Sequence, residues 1–276
     1  MSNIAGAFQN GKAFIGFVTG GDPGIEKTEE FILEMVRAGA DLVEIGIPFS
    51  DPIAEGPVIQ RANIRALSSG TTVAKLFGLV EKLRRNIATP LVFLTYLNPV
   101  FSYGYDRFFS KCRETGVDGI IIPDLPFEEQ GEVRDVSARH GVDLISLIAP
   151  TSEERIQEIV RTASGFLYLV SSLGVTGVRG EISTDLASMI AQVKKAQDRD
   201  GAPRLPAAEL PAAKLPVAVG FGIHSPDQAA EIARIADGVI VGSAIVKIIE
   251  DHGKDAGRYI YEYVKAMKGA IGSIGL

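Results

Sequence analysis

Eight short apolar runs, rich in β-branched residues, recur along the chain and alternate with longer stretches of helical periodicity. They are Ala13–Val18, Leu42–Ile45, Leu91–Thr95, Gly119–Ile122, Leu144–Leu147, Phe166–Val170, Val217–Val219 and Gly238–Val241. A strand that is apolar at nearly every position is buried on both faces, as in a parallel sheet covered by helices. Helical spacing marks Ile25–Ala38 (Phe31, Ile32, Met35, Val36), Val73–Arg84 (Leu76, Leu79, Val80, Leu83), Glu153–Ala163, Ser183–Gln197 and Lys254–Ile271. Parallel neighbours need crossover helices, and eight such units close on themselves as an α/β protein of the (β/α)8 TIM-barrel class. A doubly wound open sheet would use the same alternation. Against it, the first strand leads into Thr19-Gly20-Gly21-Asp22-Pro23 rather than GxGxxG, and glycine turns follow the last two strands. A single barrel domain over residues 1–276 is the expectation.

Three connections depart from this regularity. Ser50–Gly70 is long, with a helical piece expected near Val58–Leu67, and Ser171–Glu181 is rich in Ser, Gly and Thr. Loops of this length in a compact domain are usually functional or disordered. The third, a Pro/Ala-rich insertion at about 199–216, repeats LPAA at Leu205–Ala208 and Leu210–Ala213. It precedes the seventh strand, which puts it at the end of the barrel away from the chemistry, as a semi-rigid surface excursion.

Charge and cysteine usage narrow the partners. With 28 Lys+Arg against 34 Asp+Glu the net charge is −6, and no cluster of basic residues offers a nucleic acid or membrane surface a binding face. A small anion would need local donors. One thiol, Cys112, forms no intrachain disulfide, so a reducing cytoplasm is expected. The first twelve residues lack the apolar core of a signal peptide, and no apolar run approaches a membrane span.

Barrel chemistry sits at the carboxyl ends of the strands. Those ends carry no Lys for a Schiff base, and no group of His and carboxylates that would hold a metal. His224 alone lies near that end, whereas His140 and His252 fall at helix ends and Cys112 reads as a small buried residue. Carboxylates remain. Glu44 stands inside Leu42-Val43-Glu44-Ile45, where burial would raise its pKa towards neutrality and make it a proton carrier. A buried Glu satisfied by backbone donors or a Lys is the equally weighted alternative. Glu55 lies in the loop above the same strand; by itself it reads as a solvated loop acid. Asp51 and Asp124 each fit a turn or cap as well as a site. Gly222 precedes Ile223-His224-Ser225-Pro226, with Ser225 as helix cap, and Gly242-Ser243 opens the next helix. Helix amino termini after strands seven and eight of such a barrel are its usual phosphate seat. Carboxylates, an anion seat, no amine and no metal suit a sugar-phosphate-like substrate and a step made of proton transfers.

The run Leu42-Val43-Glu44-Ile45-Gly46-Ile47-Pro48-Phe49-Ser50-Asp51-Pro52-Ile53-Ala54-Glu55-Gly56-Pro57 resembles the signature segment of the tryptophan synthase α subunits. The resemblance continues through Phe17–Pro23, Pro123–Pro126, Gly174–Gly177, Gly222-Ile223 and Gly242–Lys247, and covers essentially the whole chain except the LPAA insertion. It implies a (β/α)8 barrel and a lyase for the retro-aldol cleavage of indole-3-glycerol phosphate to indole and glyceraldehyde 3-phosphate. Carried over by position, it implies Glu44 as the acid–base residue and Glu55 as the carboxylate that stabilises charge on the indole N–H. The family has Asp at the latter position, so this chain departs from it by one methylene. The resemblance further implies Phe17, Tyr96, Tyr168 and Phe221 around the indole and Gly177, Gly222, Gly242 and Ser243 around the phosphate. Thr176 would position the second carboxylate, and Asp51 would signal to a partner. That partner is a β subunit, dependent on pyridoxal phosphate, which receives indole in an α2β2 heterotetramer for tryptophan biosynthesis; the α chain needs no cofactor of its own. Three alternatives remain open: a free-standing indole-releasing lyase, a regulatory subunit weakened by Glu55, and another sugar-phosphate barrel enzyme such as an isomerase or epimerase.

Overall fold

The computed structural model describes residues 2–150, 155–170, 179–199, 214–220 and 222–274. Among the described residues, nine strands form one parallel sheet: β1 Ala13–Thr19, β2 Leu42–Gly46, β3 Leu91–Leu94, β4 Gly119–Ile121, β5 Asp143–Leu144, β6 Ser146–Ile148, β7 Leu167–Val170, β8 Val217–Gly220 and β9 Gly238–Val241. The order β5-β4-β3-β2-β1-β9-β8-β7-β6 has β5 and β6 at its two ends. These two are one extended segment interrupted only by Ile145. The expected single strand Leu144–Leu147 is thus split where its pairing passes from β4 to β7, and that passage closes the barrel. Ile145 keeps the seam tied, its N–H donating to Ile120 O at 2.9 Å.

Side chains alternate across the wall because successive Cβ atoms point to opposite faces. Ile15, Leu42, Val92, Ile121, Ile145, Tyr168, Ala218 and Ile240 fill the lumen, while Phe14, Val18, Val43, Ile45, Phe93, Leu169 and Val239 face the helices. Double-sided burial is therefore why the strands read as unbroken apolar runs.

The helical layer is α1 Ile25–Arg37, α2 Pro57–Ser68, α3 Val73–Leu83, α4 Leu97–Tyr103, α5 Tyr105–Thr115, α6 Gly131–Arg139, α7 Ile156–Thr162, α8 Arg179–Arg199, α9 Pro226–Ala233, α10 Ser243–His252 and α11 Gly257–Gly272. Most of the connection 50–70 is thus α2, begun by Pro57 at its first turn. α8 starts at Arg179, ahead of the expected Ser183, so the connection after β7 is shorter than the 171–181 read from composition. Residues 171–178, and most of the insertion at 199–216, lie outside the described residues. α11 begins at Gly257 rather than Lys254, because Gly253 adopts φ +53° and a 3-10 turn intervenes.

The amino end of the barrel is closed by the chain start. Ile4, Ala7 and Phe8 pack into the lumen cluster, with Phe8 and Phe166 ring centroids 5.8 Å apart. Beside this plug the Asp118 carboxylate accepts from Asn3 N–H and Leu91 N–H, each at 2.9 Å, and from the Arg84 guanidinium. Arg84 also donates to the carbonyls of Gly116 and Thr89. At the other end the described residues enclose a cavity.

Candidate active site

A cavity of about 320 Å³ occupies the carboxyl end of the barrel. Its walls include Phe17 of β1, Glu44 of β2, Leu94 of β3, Ile121 of β4, Tyr168 and Val170 of β7, and Ile240 of β9. These are lumen positions near the carboxyl ends of their strands, so register alone brings them together. Phe17 pairs with Glu44 across β1 and β2, and Glu44 with Val92 across β2 and β3. Two close approaches depend on glycine. A Cβ on Gly46 would come within 2.7 Å of Phe17 Cζ, and one on Gly220 would fall on the Tyr168 hydroxyl. Bulk at either site would push an aromatic wall into the cavity.

Glu44 is 1% exposed, and its Oε1 has no hydrogen-bond partner among the described residues. The backbone donors or Lys of a purely structural buried acid are missing at that atom. Burial in this apolar mouth pushes the Glu44 pKa from 4.5 up to about 8, because desolvation penalises the ionised form. The Tyr168 hydroxyl is held well above its ordinary range, chiefly by burial and secondarily by the Glu44 charge. At neutral pH the site therefore holds a carboxylic acid in its protonated form.

Glu55 lines the same cavity from the loop that leads into α2. Asn63, on the buried side of α2, donates from Nδ2 to Glu55 Oε2 at 2.7 Å. Burial raises the Glu55 pKa and the Asn63 bond opposes that rise. The loop is pinned a second time, since Ala54 N–H donates to Tyr96 OH at 3.0 Å. Tyr96 is not among the described residues that line the cavity; it stands behind the loop, its ring tilted 31° to that of Phe49 with centroids 5.3 Å apart, where it buttresses the loop. The reason is its position at the start of α4, past the last lumen-facing residue of β3.

Across the mouth, Gly222, Ile223 and His224 follow β8, and Gly242, Ser243 and Ala244 follow β9. Gly222 turns the chain at φ +74°. Ser225 caps α9 in a full capping box with Gln228, as its sequence suggests. α10 has no side-chain cap; Val246 N–H makes its first helical bond to Gly242 O at 3.1 Å. The amides that precede it in the first turn are unused by the helix, beside the cavity, where they favour an anion. His224 went unread as a site residue because one His carries no pattern; its Nδ1 lies 3.0 Å from Gly222 O. A carbonyl only accepts, so Nδ1 is the donor in this bond.

The remaining candidates separate. Asp51 is exposed, accepts from the Ser50 hydroxyl and does not line the cavity. Asp124 accepts from Leu97 N–H at 2.9 Å, which makes it a cap for α4. Cys112 is buried in α5, and burial pushes its thiol pKa up, away from nucleophilic use. Thr176, Gly177 and Phe221 lie outside the described residues. Among the described residues, no group of His, Cys, Asp or Glu is arranged to hold a metal ion, and no helix is long and apolar enough to cross a membrane.

Comparison with known proteins then decides the family. A family model described as "Tryptophan synthase alpha chain" matches residues 5–271. The chain belongs to the tryptophan synthase alpha chain family. It is 47% identical to the alpha chain of Lactiplantibacillus plantarum, over 98% of this chain and 97% of that one. It is 43% identical to that of Lacticaseibacillus casei, over 98% and 96% respectively. The crystal structure of the Legionella pneumophila alpha chain superposes with a TM-score of 0.85 at 36% identity, covering 100% of this chain and 99% of that one. A structure of the α2β2 complex from Pyrococcus furiosus matches at TM-score 0.82 and 34% identity, over 94% and 99%. The family's alpha chains are lyases that cleave indole-3-glycerol phosphate.

Proposed function

We propose that this chain cleaves indole-3-glycerol phosphate by a proton cycle on Glu44, with Glu55 as electrostatic partner and the α10 turn as phosphate seat. Neutral Glu44 donates its proton to indole C3. The positive charge that develops at the ring nitrogen is stabilised by the Glu55 carboxylate. As the bond between C3 and the hydroxyl-bearing glycerol carbon breaks, its electron pair restores the aromatic ring. The hydroxyl proton passes to the Glu44 carboxylate and leaves an aldehyde, glyceraldehyde 3-phosphate. Glu44 ends protonated, as it began, so one residue serves as acid and base without an external proton. The amides at Gly242 and Ser243, with Gly222, receive the phosphate; Phe17, Tyr168 and the aliphatic wall receive the indole.

The observation that carries this reading is the buried Glu44, its Oε1 without a partner among the described residues, on the wall of the cavity whose rim holds the first-turn amides of α10. One ligand can touch both. Asn63 supports the second carboxylate by donating to Glu55 Oε2.

A β subunit is the receiver of the indole. Ile53 and Phe101, large apolar residues exposed on the segments that the Tyr96–Ala54 bond joins, offer it an apolar docking face, with Asp51 beside Ile53 as the signalling residue. Pyridoxal phosphate would belong to that subunit, the assembly would be α2β2, and the pathway places the chain in the cytoplasm. The test is indole release from indole-3-glycerol phosphate by the wild-type chain and Glu44→Gln, each with and without a β subunit. Release by wild type, raised by the partner and lost in Glu44→Gln, is expected; full activity in Glu44→Gln would remove Glu44 from the mechanism.

A further inference from the structure

Outside the cavity, a set of charges, from the buried Asp22 to the exposed Arg61 and Lys247, joins three elements that border it. Arg65 of α2 donates from Nε to Asp22 Oδ1 at 2.8 Å and from Nη2 to Asp22 Oδ2 at 2.7 Å. Its third nitrogen, Nη1, reaches Glu250 Oε1 of α10 at 3.2 Å. Arg61, one turn earlier on α2, grips the same Glu250 through Nε at 2.6 Å and Nη2 at 3.0 Å. Lys247 completes the set at 3.2 Å from Glu250 Oε2. Asp22, in the turn after β1, has a fully buried side chain, so Arg65 is its charge partner inside the protein and not a surface ornament.

The three elements have distinct tasks at the cavity. α2 carries Asn63, which holds the Glu55 carboxylate, and Ile59, which lines the wall. α10 begins at the Gly242–Ser243 turn. β1 carries Phe17, which packs with Ala62 of α2 and Val246 of α10 in one small cluster. A planar guanidinium with two forks occupied can fix a distance and an angle, whereas apolar packing alone tolerates sliding. We infer that Arg65 is a positioning residue that sets the separation between the Glu55 carboxylate and the anion-binding turn by clamping α2 to Asp22 and to Glu250. This rests on the reaction proposed above, because only a ligand gripped at both ends makes that separation matter. Displacement of about 1 Å in such a constellation costs on the order of 100-fold.

The test measures indole release and inorganic phosphate binding by the full chain with its β subunit. Arg65→Leu is expected to lower kcat/KM by about 10- to 100-fold, with a fall in kcat as well as a rise in KM, and Arg65→Lys to recover part of it. Phosphate alone touches one end, so its Kd should change less than threefold in the same variants. That split separates positioning from general loosening, which would weaken phosphate as much as substrate. Should Arg65→Leu not fold, Glu250→Gln carries the test, with a loss of about 3- to 10-fold in kcat/KM at unchanged phosphate affinity. A folded Arg65→Leu, or in its place Glu250→Gln, with wild-type kcat/KM overturns the inference, as does parallel loss of phosphate binding. Failure of the wild-type protein to release indole would instead overturn the proposed reaction itself.

Discussion

The two ends of the barrel treat buried polar groups in opposite ways. At the amino end Asp118 accepts two backbone N–H bonds and a guanidinium, and the lumen is plugged by Ile4, Ala7 and Phe8. At the carboxyl end Glu44 and Thr19, both buried, each leave a side-chain oxygen without a partner among the described residues, and a cavity occupies the lumen. An unsatisfied buried group costs stability that a satisfied one does not. One end is arranged for cohesion; in the proposed reaction the other keeps an acid for the ligand.

Removing the key carboxylate from each end should have opposite signatures. Glu44→Gln is expected to lower kcat for indole release by at least about 1,000-fold, near the upper range for loss of a general acid–base group. It should leave the fold no weaker. Asp118→Ala is expected to do the reverse, lowering unfolding free energy by about 3 kcal/mol while kcat/KM stays within about twofold of wild type. Denaturant unfolding together with the indole assay checks both, and an Asp118→Ala protein that is stable but inactive would break the comparison.

The pH dependence sharpens it. Below about pH 4.5 Glu44 is protonated whether the chain is folded or not. Between there and about 8 the unfolded chain ionises this residue while the native protein keeps it neutral, so native stability falls as pH rises; above 8 the loss levels off. Wild type should therefore lose stability on the order of a few kcal/mol between pH 5 and pH 8 that Glu44→Gln does not lose. Because the cycle starts from protonated Glu44, kcat/KM should fall about tenfold per unit above pH 8. A flat profile from pH 7 to 10 would contradict this.

The smallest effect concerns the departure at Glu55. Glu55→Asp draws the carboxylate back from Asn63, and the expected change is a loss of about 3- to 10-fold in kcat/KM. A gain would show that the longer acid is a handicap which Asn63 does not offset.

Sequence made the barrel legible for a physical reason: double burial writes each strand as an unbroken apolar run, and Glu44 stands out because it interrupts one. The Ser225 cap of α9 was legible because capping is local. What could not be read depends on contacts distant in the chain. Arg65 meets Asp22 and Glu250 across 43 and 185 positions. The resemblance implied Tyr96 around the indole, whereas at the start of α4 its hydroxyl accepts from Ala54 N–H behind the loop. The split at Ile145 follows from closure of the sheet, which no local pattern encodes.

The state of the Glu44 side chain can be observed without turnover. Titration of the carboxyl carbons by NMR in protein labelled at the glutamate side chain, with Glu44→Gln to assign the signal, reads its pKa directly. A midpoint near pH 8 is expected. A midpoint in the ordinary glutamate range near 4.5 would show that water or a donor satisfies this carboxylate, and that the open end of the barrel holds no poised acid.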